Sequence, residues 1–227
     1  MTERTTERTP DDRPVERHLA DEPHEVDVVS RETIHSGYVW DVVSERFRYG
    51  DAEITREFVD HTGAVAILAL DEENRVLLIQ QYRHPVRMRD WELPAGLLDE
   101  PGEPALAAAK RELAEEADLE ASEWSVLVDF FTTPGGNNES IRIFLARGLS
   151  ATEEAFERTD EEADIVIRWT PLDDALEQVL RGGLHNPSAV IAILAAALER
   201  GRGWRDLRPA DAEWPTRPKG PESLAGK

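Results

Sequence analysis

Two neighbouring stretches, GAVAILAL (63–70) and RVLLIQQYR (75–83), are apolar at almost every position. Successive side chains of a strand point to opposite faces, so a strand of this kind has to be covered on both. The polar turn Asp71-Glu72-Glu73-Asn74 separates the two, and they are expected to form the centre of the main sheet. Further strand candidates follow at WSVLVDFF (124–131), IRIFLARGL (141–149) and DIVIRWT (164–170). Covering helices are expected over 103–117, where Leu106, Leu113 and Ala117 share a stripe, and over 171–182 and 187–201. The last of these is Ala-rich and nearly all apolar, which suits the core or a subunit contact. Strands interleaved with helices place the chain in the α/β class.

Upstream, SGYVWDVVSERFRY and AEITREFVDH flank Tyr49-Gly50-Asp51 and read as an antiparallel pair. This makes residues 28–61 a small N-terminal β lobe ahead of a main domain at 62–201. Residues 1–27 are polar and aperiodic, the composition of a disordered tail, and lack the apolar core of a secretory signal. Residues 202–227 hold four prolines among scattered charges and read as an extended tail, with Trp204 and Trp214 available to pin it.

With 227 residues, one main domain is expected. The absence of cysteine excludes disulfides, thiolate nucleophiles and cysteine-type zinc sites, so a metal has to be held by oxygen or histidine. The 47 acidic residues outnumber the 26 basic ones, and the net charge of −21 repels nucleic acid and anionic membranes. Solubility, or tolerance of a salty interior, accounts for that surface. A phosphate-bearing substrate needs local arginines or divalent cations to overcome it. No apolar run approaches the roughly 20 residues of a membrane span, and a cytoplasmic enzyme is the expectation.

Against this charge, AGLLDEPGEPALAAAKRELAEEADL (95–119) gathers Glu112, Glu115 and Glu116 on one helix. Glu112 and Glu116 are one turn apart, and Glu115 lies about 60° to the side. Like charges so placed repel by a few tenths of a kcal/mol per pair. A hard divalent cation such as Mg²⁺ or Mn²⁺ reverses that sign, because it prefers oxygen ligands. On spacing alone, a solvated acidic face is the more ordinary reading of these glutamates.

The order Gly96, Glu103, then Arg111-Glu112-Leu113-Ala114-Glu115-Glu116-Ala117-Asp118-Leu119 resembles the signature of the Nudix hydrolases. There are two departures. Six residues instead of five separate Gly96 from Glu103, and Asp118 replaces a glycine suited to a left-handed helix end. REFVDHTGAVAILAL, VLLIQQYRHPVRMRDWELPAGLLDEPGE and EEADIVIRWTPLDDALEQVLRGGLHNPSAVIAIL look most like the ADP-ribose pyrophosphatase branch, a likeness covering roughly 36–200.

The resemblance implies an α/β/α sandwich around a mixed sheet and metal-dependent hydrolysis of ADP-ribose to AMP and ribose 5-phosphate. It implies Mg²⁺ or Mn²⁺ held by Glu112, Glu116 and the carbonyl of Ala95, with Glu103 and Glu115 as further or supporting ligands and Arg111 holding the carboxylates in register. Glu161, or else Glu162, is the expected loop carboxylate that orients or deprotonates water. Arg83 would contact phosphate, Trp40, Arg56 and Glu57 would build an adenine pocket, and the loop PGGNNES (134–140) would border the terminal ribose, with Glu139 near the metals. The histidines lack metal-site spacing and receive no role. A homodimer through the N-terminal lobe is also implied. The competing readings are a hydrolase of another nucleoside diphosphate sugar, a non-catalytic sensor of ADP-ribose-type ligands and an acidic interaction protein.

Overall fold

The computed structural model describes residues 19–153, 156 and 165–217. In chain order its elements begin with β1 (Asp27–Ser36), β2 (Asp41–Tyr49) and β3 (Ala52–Asp60), which form an antiparallel sheet in the order β1-β2-β3. The β2–β3 turn falls at Gly50, whose φ of 61° suits a residue without a Cβ. β1 was not foreseen as a strand: all ten of its residues are exposed, so no buried face imposes an alternating pattern.

Next come β4 (Ala64–Ala69), β5 (Arg75–Arg83), β6 (Met88–Glu92), β7 (Ala95–Leu97), α1 (Ala105–Ala117), β8 (Leu119–Phe131), β9 (Ser140–Ala151), β10 (Val166–Pro171), α2 (Leu172–Leu180), α3 (Pro187–Gly201) and β11 (Arg208–Pro209). β4 is fully buried, and its alternation serves two cores. Ala64, Ala66 and Leu68 pack in one with Leu172, Ala192 and Ile193 of α2 and α3. Val65, Ile67 and Ala69 pack in the other with Ala108, Ala109 and Leu113 of α1. The result is helix, sheet and helix in layers.

The two apolar strands do not lie side by side, contrary to the expectation of a common sheet. β4 belongs to a five-stranded mixed sheet, β11-β8-β9-β4-β7, while β5 is the middle of a second sheet, β10-β5-β6. A strand has two edges, and those of β4 are taken by β9, running parallel, and β7, running antiparallel. Between β4 and β5 only the Leu70–Val76 bridge remains at the turn, where Asp71 Oδ1 accepts the Glu73 and Arg75 N–H groups.

The chain after α3 is ordered against the body through Arg217. β11 pairs with β8 at Val126 and Ser125. Arg142, 3% exposed in its side chain, grips Asp129 through Nε and Nη2 at 2.8 and 3.0 Å. The same guanidinium donates to the carbonyls of Ala212 and Glu213 at 2.6 and 2.9 Å, and lies 4.8 Å from the centroid of the Trp214 ring. Trp214 Nε1 donates to the hydroxyls of Ser140 and Thr216. The tryptophan pin foreseen at Trp214 is therefore present, built around an arginine that satisfies four hydrogen bonds while buried.

Candidate active site

α1 leaves through Asp118, which adopts the left-handed conformation with φ 54° and ψ 38°. Its N–H bonds back to Ala114 and its carboxylate accepts the Phe156 N–H at 2.8 Å. The helix thus ends as it would at glycine, with the aspartate side chain committed to the next segment.

On the face of α1 turned to β7, the backbone and the carboxylates are in close contact. A Cβ on Gly96 would sit 1.9 Å from Glu112 Oε1 and 2.4 Å from its Cγ, so only glycine leaves Glu112 its place. Glu116 is 4% exposed, and its Oε2 accepts the Ala95 N–H at 2.9 Å. Arg111 joins the remaining acids. Its Nε and Nη2 reach the two oxygens of Glu103 at 3.2 and 3.1 Å, and Nη1 reaches Glu112 at 2.6 Å and Glu115 at 3.1 Å. Hydrogen bonding to Glu103, and then the charge of Glu112, hold the Arg111 pKa above the usual arginine range.

These residues line an open pocket of about 1130 Å³, together with Gln81, Arg83, Leu97 and the Asp99–Gly102 turn. Arg83 forms a two-toothed pair with Glu92, Nε to Oε1 at 2.8 Å and Nη2 to Oε2 at 2.7 Å. Glu92 is buried and had been given no role from sequence, although it stands in the WELPAG segment. The signal that could have found it is its place in β6, paired with β5, which presents Arg83.

Four carboxylates and one guanidinium leave this corner with excess negative charge. Among the described residues, no three histidine, cysteine or carboxylate side chains stand together as a ready-made metal cage. The donor chemistry nevertheless fits a hard divalent cation: the groups offered are all oxygens, and the bare Gly96 backbone gives Glu112 its room.

Other expected site residues lie elsewhere. Trp40 stands between β1 and β2, Arg56 and Glu57 are on β3, and Glu139 precedes β9; none lines this pocket. Glu161 and Glu162 fall outside the described residues. The structure adds His61, which had been assigned no role. Its Nδ1 accepts the Gly63 N–H at 3.0 Å, Nε2 faces Glu139 Oε1 at 3.4 Å, and its ring lies against Trp40 with centroids 5.3 Å apart. No spacing rule signals such a contact, because Trp40, His61 and Glu139 come from distant parts of the chain.

A family profile described as NUDIX domain matches residues 60–190. The chain is 43% identical over 196 residues to a Mycobacterium tuberculosis protein named ADP-ribose pyrophosphatase, covering 86% of this chain and 94% of that one. It is 34% identical to a Bacillus subtilis protein of the same name, covering 73% and 89%. It is also 38% identical to a Bacillus methanolicus protein named methanol dehydrogenase activator, covering 61% and 74%. Among solved structures, one titled as that of an ADP compounds hydrolase superposes with a TM-score of 0.63 at 19% identity, covering 81% of this chain and 99% of the other, which speaks for the fold. The glycine-braced glutamate helix, the layered mixed sheet and these matches together place the chain in the Nudix family.

Proposed function

We propose that this chain hydrolyses the pyrophosphate bond of ADP-ribose, releasing AMP and ribose 5-phosphate. The observation that carries the reading is the cluster of Glu103, Glu112, Glu115 and Glu116 around Arg111 and Gly96, and the names of the 43% and 34% identical relatives support the substrate. Glu112, Glu116 and the Ala95 carbonyl would hold Mg²⁺ or Mn²⁺, with Glu103 and Glu115 beside them. The bound cation supplies Lewis acidity toward the diphosphate and a lowered pKa for the attacking water.

The chain's own residues do the rest. Arg111 spreads one positive charge over three carboxylates and holds them near one another. Arg83 is kept in a fixed orientation by Glu92 and presents its outer edge to the pocket, where it meets the diphosphate. Glu161 or Glu162 orients or deprotonates water. Trp40, Arg56 and Glu57 receive the adenine, and the loop at 134–140, which carries Glu139, borders the terminal ribose. The lobe at 28–61 is the dimerisation element of a cytoplasmic homodimer, a reading supported by the full exposure of β1 and by Val28 and Ile34 upon it.

The test is phosphate release, coupled to a phosphatase, from ADP-ribose, ADP-glucose, GDP-mannose, diadenosine polyphosphates and NAD⁺, each with Mg²⁺ and with EDTA. Turnover strongest on ADP-ribose and abolished by EDTA is expected. Preference for another compound replaces the substrate, and binding without turnover makes the chain a ligand sensor.

A further inference from the structure

His61 sits where the N-terminal lobe, the core strand β4 and the loop before β9 meet. Because Nδ1 accepts the Gly63 N–H at 3.0 Å, the ring proton is on Nε2, which faces Glu139 Oε1 at 3.4 Å. The other oxygen of Glu139 accepts the Thr132 hydroxyl at 2.7 Å. The backbone N–H of His61 donates to Asn138 Oδ1 at 2.7 Å, and Asn138 Nδ2 donates to Asp60 at 2.7 Å. The ring and backbone of His61 are thus both tied to the loop before β9, at Glu139 and Asn138, while Nδ1 is held by the neighbouring Gly63.

Above this anchored ring lies Trp40. The two planes are tilted by 33°, with centroids 5.3 Å apart. The His61 side chain is 8% exposed, whereas Trp40 is 47% exposed, so the imidazole is the floor and the indole faces outward. An exposed indole in a connecting loop loses rotamer freedom when a base stacks on it, and a rigid floor removes part of that cost in advance.

We infer that His61 is a positioning residue for the nucleotide base: it fixes Trp40 as a stacking surface and holds Glu139 at a set offset from it. This rests on the nucleotide reading above. Two limbs follow from the two contacts. The ring supports base preference through Trp40, and the Nε2–H supports turnover through the placement of Glu139.

The experiment combines the two limbs with a readout that needs no variant. In the wild-type protein, a long-range ¹H–¹⁵N spectrum of the imidazole is expected to show His61 protonated at Nε2 and accepting at Nδ1; a proton on Nδ1 overturns the inference. AMP and CMP are then titrated calorimetrically into wild type, His61→Ala and His61→Gln. Wild type is expected to prefer AMP, and both variants to lose about tenfold in AMP affinity, the scale of one base–aromatic stack, with a smaller loss for CMP, whose single-ring base stacks more weakly. Absence of an AMP preference in wild type, or equal losses for both nucleotides, overturns the inference. In turnover of ADP-ribose with Mg²⁺, the glutamine carboxamide can still donate toward Glu139, so His61→Gln is expected to keep kcat near wild type while His61→Ala lowers it. Equal kcat in the two variants overturns the Glu139 limb. A wild type that binds AMP selectively but hydrolyses nothing defeats the proposed reaction and leaves the base-positioning role standing.

Discussion

Glu116 is buried, and one of its oxygens accepts the Ala95 N–H. Glu116→Gln preserves shape and a carbonyl acceptor while deleting the charge, so the fold is expected to survive with its melting temperature little changed. Turnover is expected to fall roughly 100-fold or more, the scale seen when one group stabilising transition-state charge is removed; steady-state kinetics beside a thermal melt checks both. Gly96→Ala pushes a methyl group into Glu112, with the built Cβ 1.9 Å from Oε1. The flexible carboxylate has to swing away, so loss of activity in a folded protein is expected, checked by kinetics and circular dichroism. Asp118 carries a different burden, a left-handed backbone at φ 54°. Asp118→Ala, which lacks the local hydrogen bonding that helps aspartate there, is expected to lower stability by about 1–2 kcal/mol in urea unfolding. That the glutamates share one side of a helix was legible from their spacing, because a helix turns one known angle per residue, while a metal role for them came only from the likeness of the flanking residues to the Nudix signature. The fitness of Asp118 was not, since its carboxylate is used by Phe156, a residue far along the chain.

At the scale of elements, β7, α1 and β5 do the positioning. β7 brings Ala95 and Gly96 against α1, and β5 and β6 present Arg83 with its partner Glu92. The limits of β5, α1 and α3 followed closely from apolar runs and helical spacing, because each buries a face that periodicity reveals. β6 and β7 were hidden in VRMRDWELPAG: they are short, and their identity comes from their partners. The same holds for the assignment of β4 and β5 to different sheets, which depends on β9 and β7 claiming both edges of β4. The C-terminal strap was read as an extended tail, and its hold comes from Arg142, an interior residue of β9. Arg142→Ala leaves Asp129 with Arg208 alone and strips the strap of two carbonyl bonds. A loss of about 3 kcal/mol is expected in urea unfolding, the low end for breaking a buried ion pair, because Arg208 compensates in part.

Over the whole molecule, the charge of −21 works against compaction. Raising sodium chloride from low salt to several tenths molar shortens the Debye length and is expected to raise the melting temperature, as scanning calorimetry would record. The lobe makes the other whole-molecule prediction: light scattering is expected to give twice the chain mass, and a monomer would remove the dimer from the proposal. By itself the sequence determined that strands buried on both faces need helices on both sides, and that Glu112, Glu115 and Glu116 share one side of a helix. Those conclusions need only local geometry, the two-residue period of a strand and the 3.6-residue turn of a helix. Tertiary structure alone decided that β4 and β5 part into separate sheets, that Glu92 backs Arg83, that Arg142 fastens the strap, and that His61 meets Trp40 and Glu139. Which groups meet in each case is settled by strand-edge pairing and core packing, which leave no periodic mark on the residues involved.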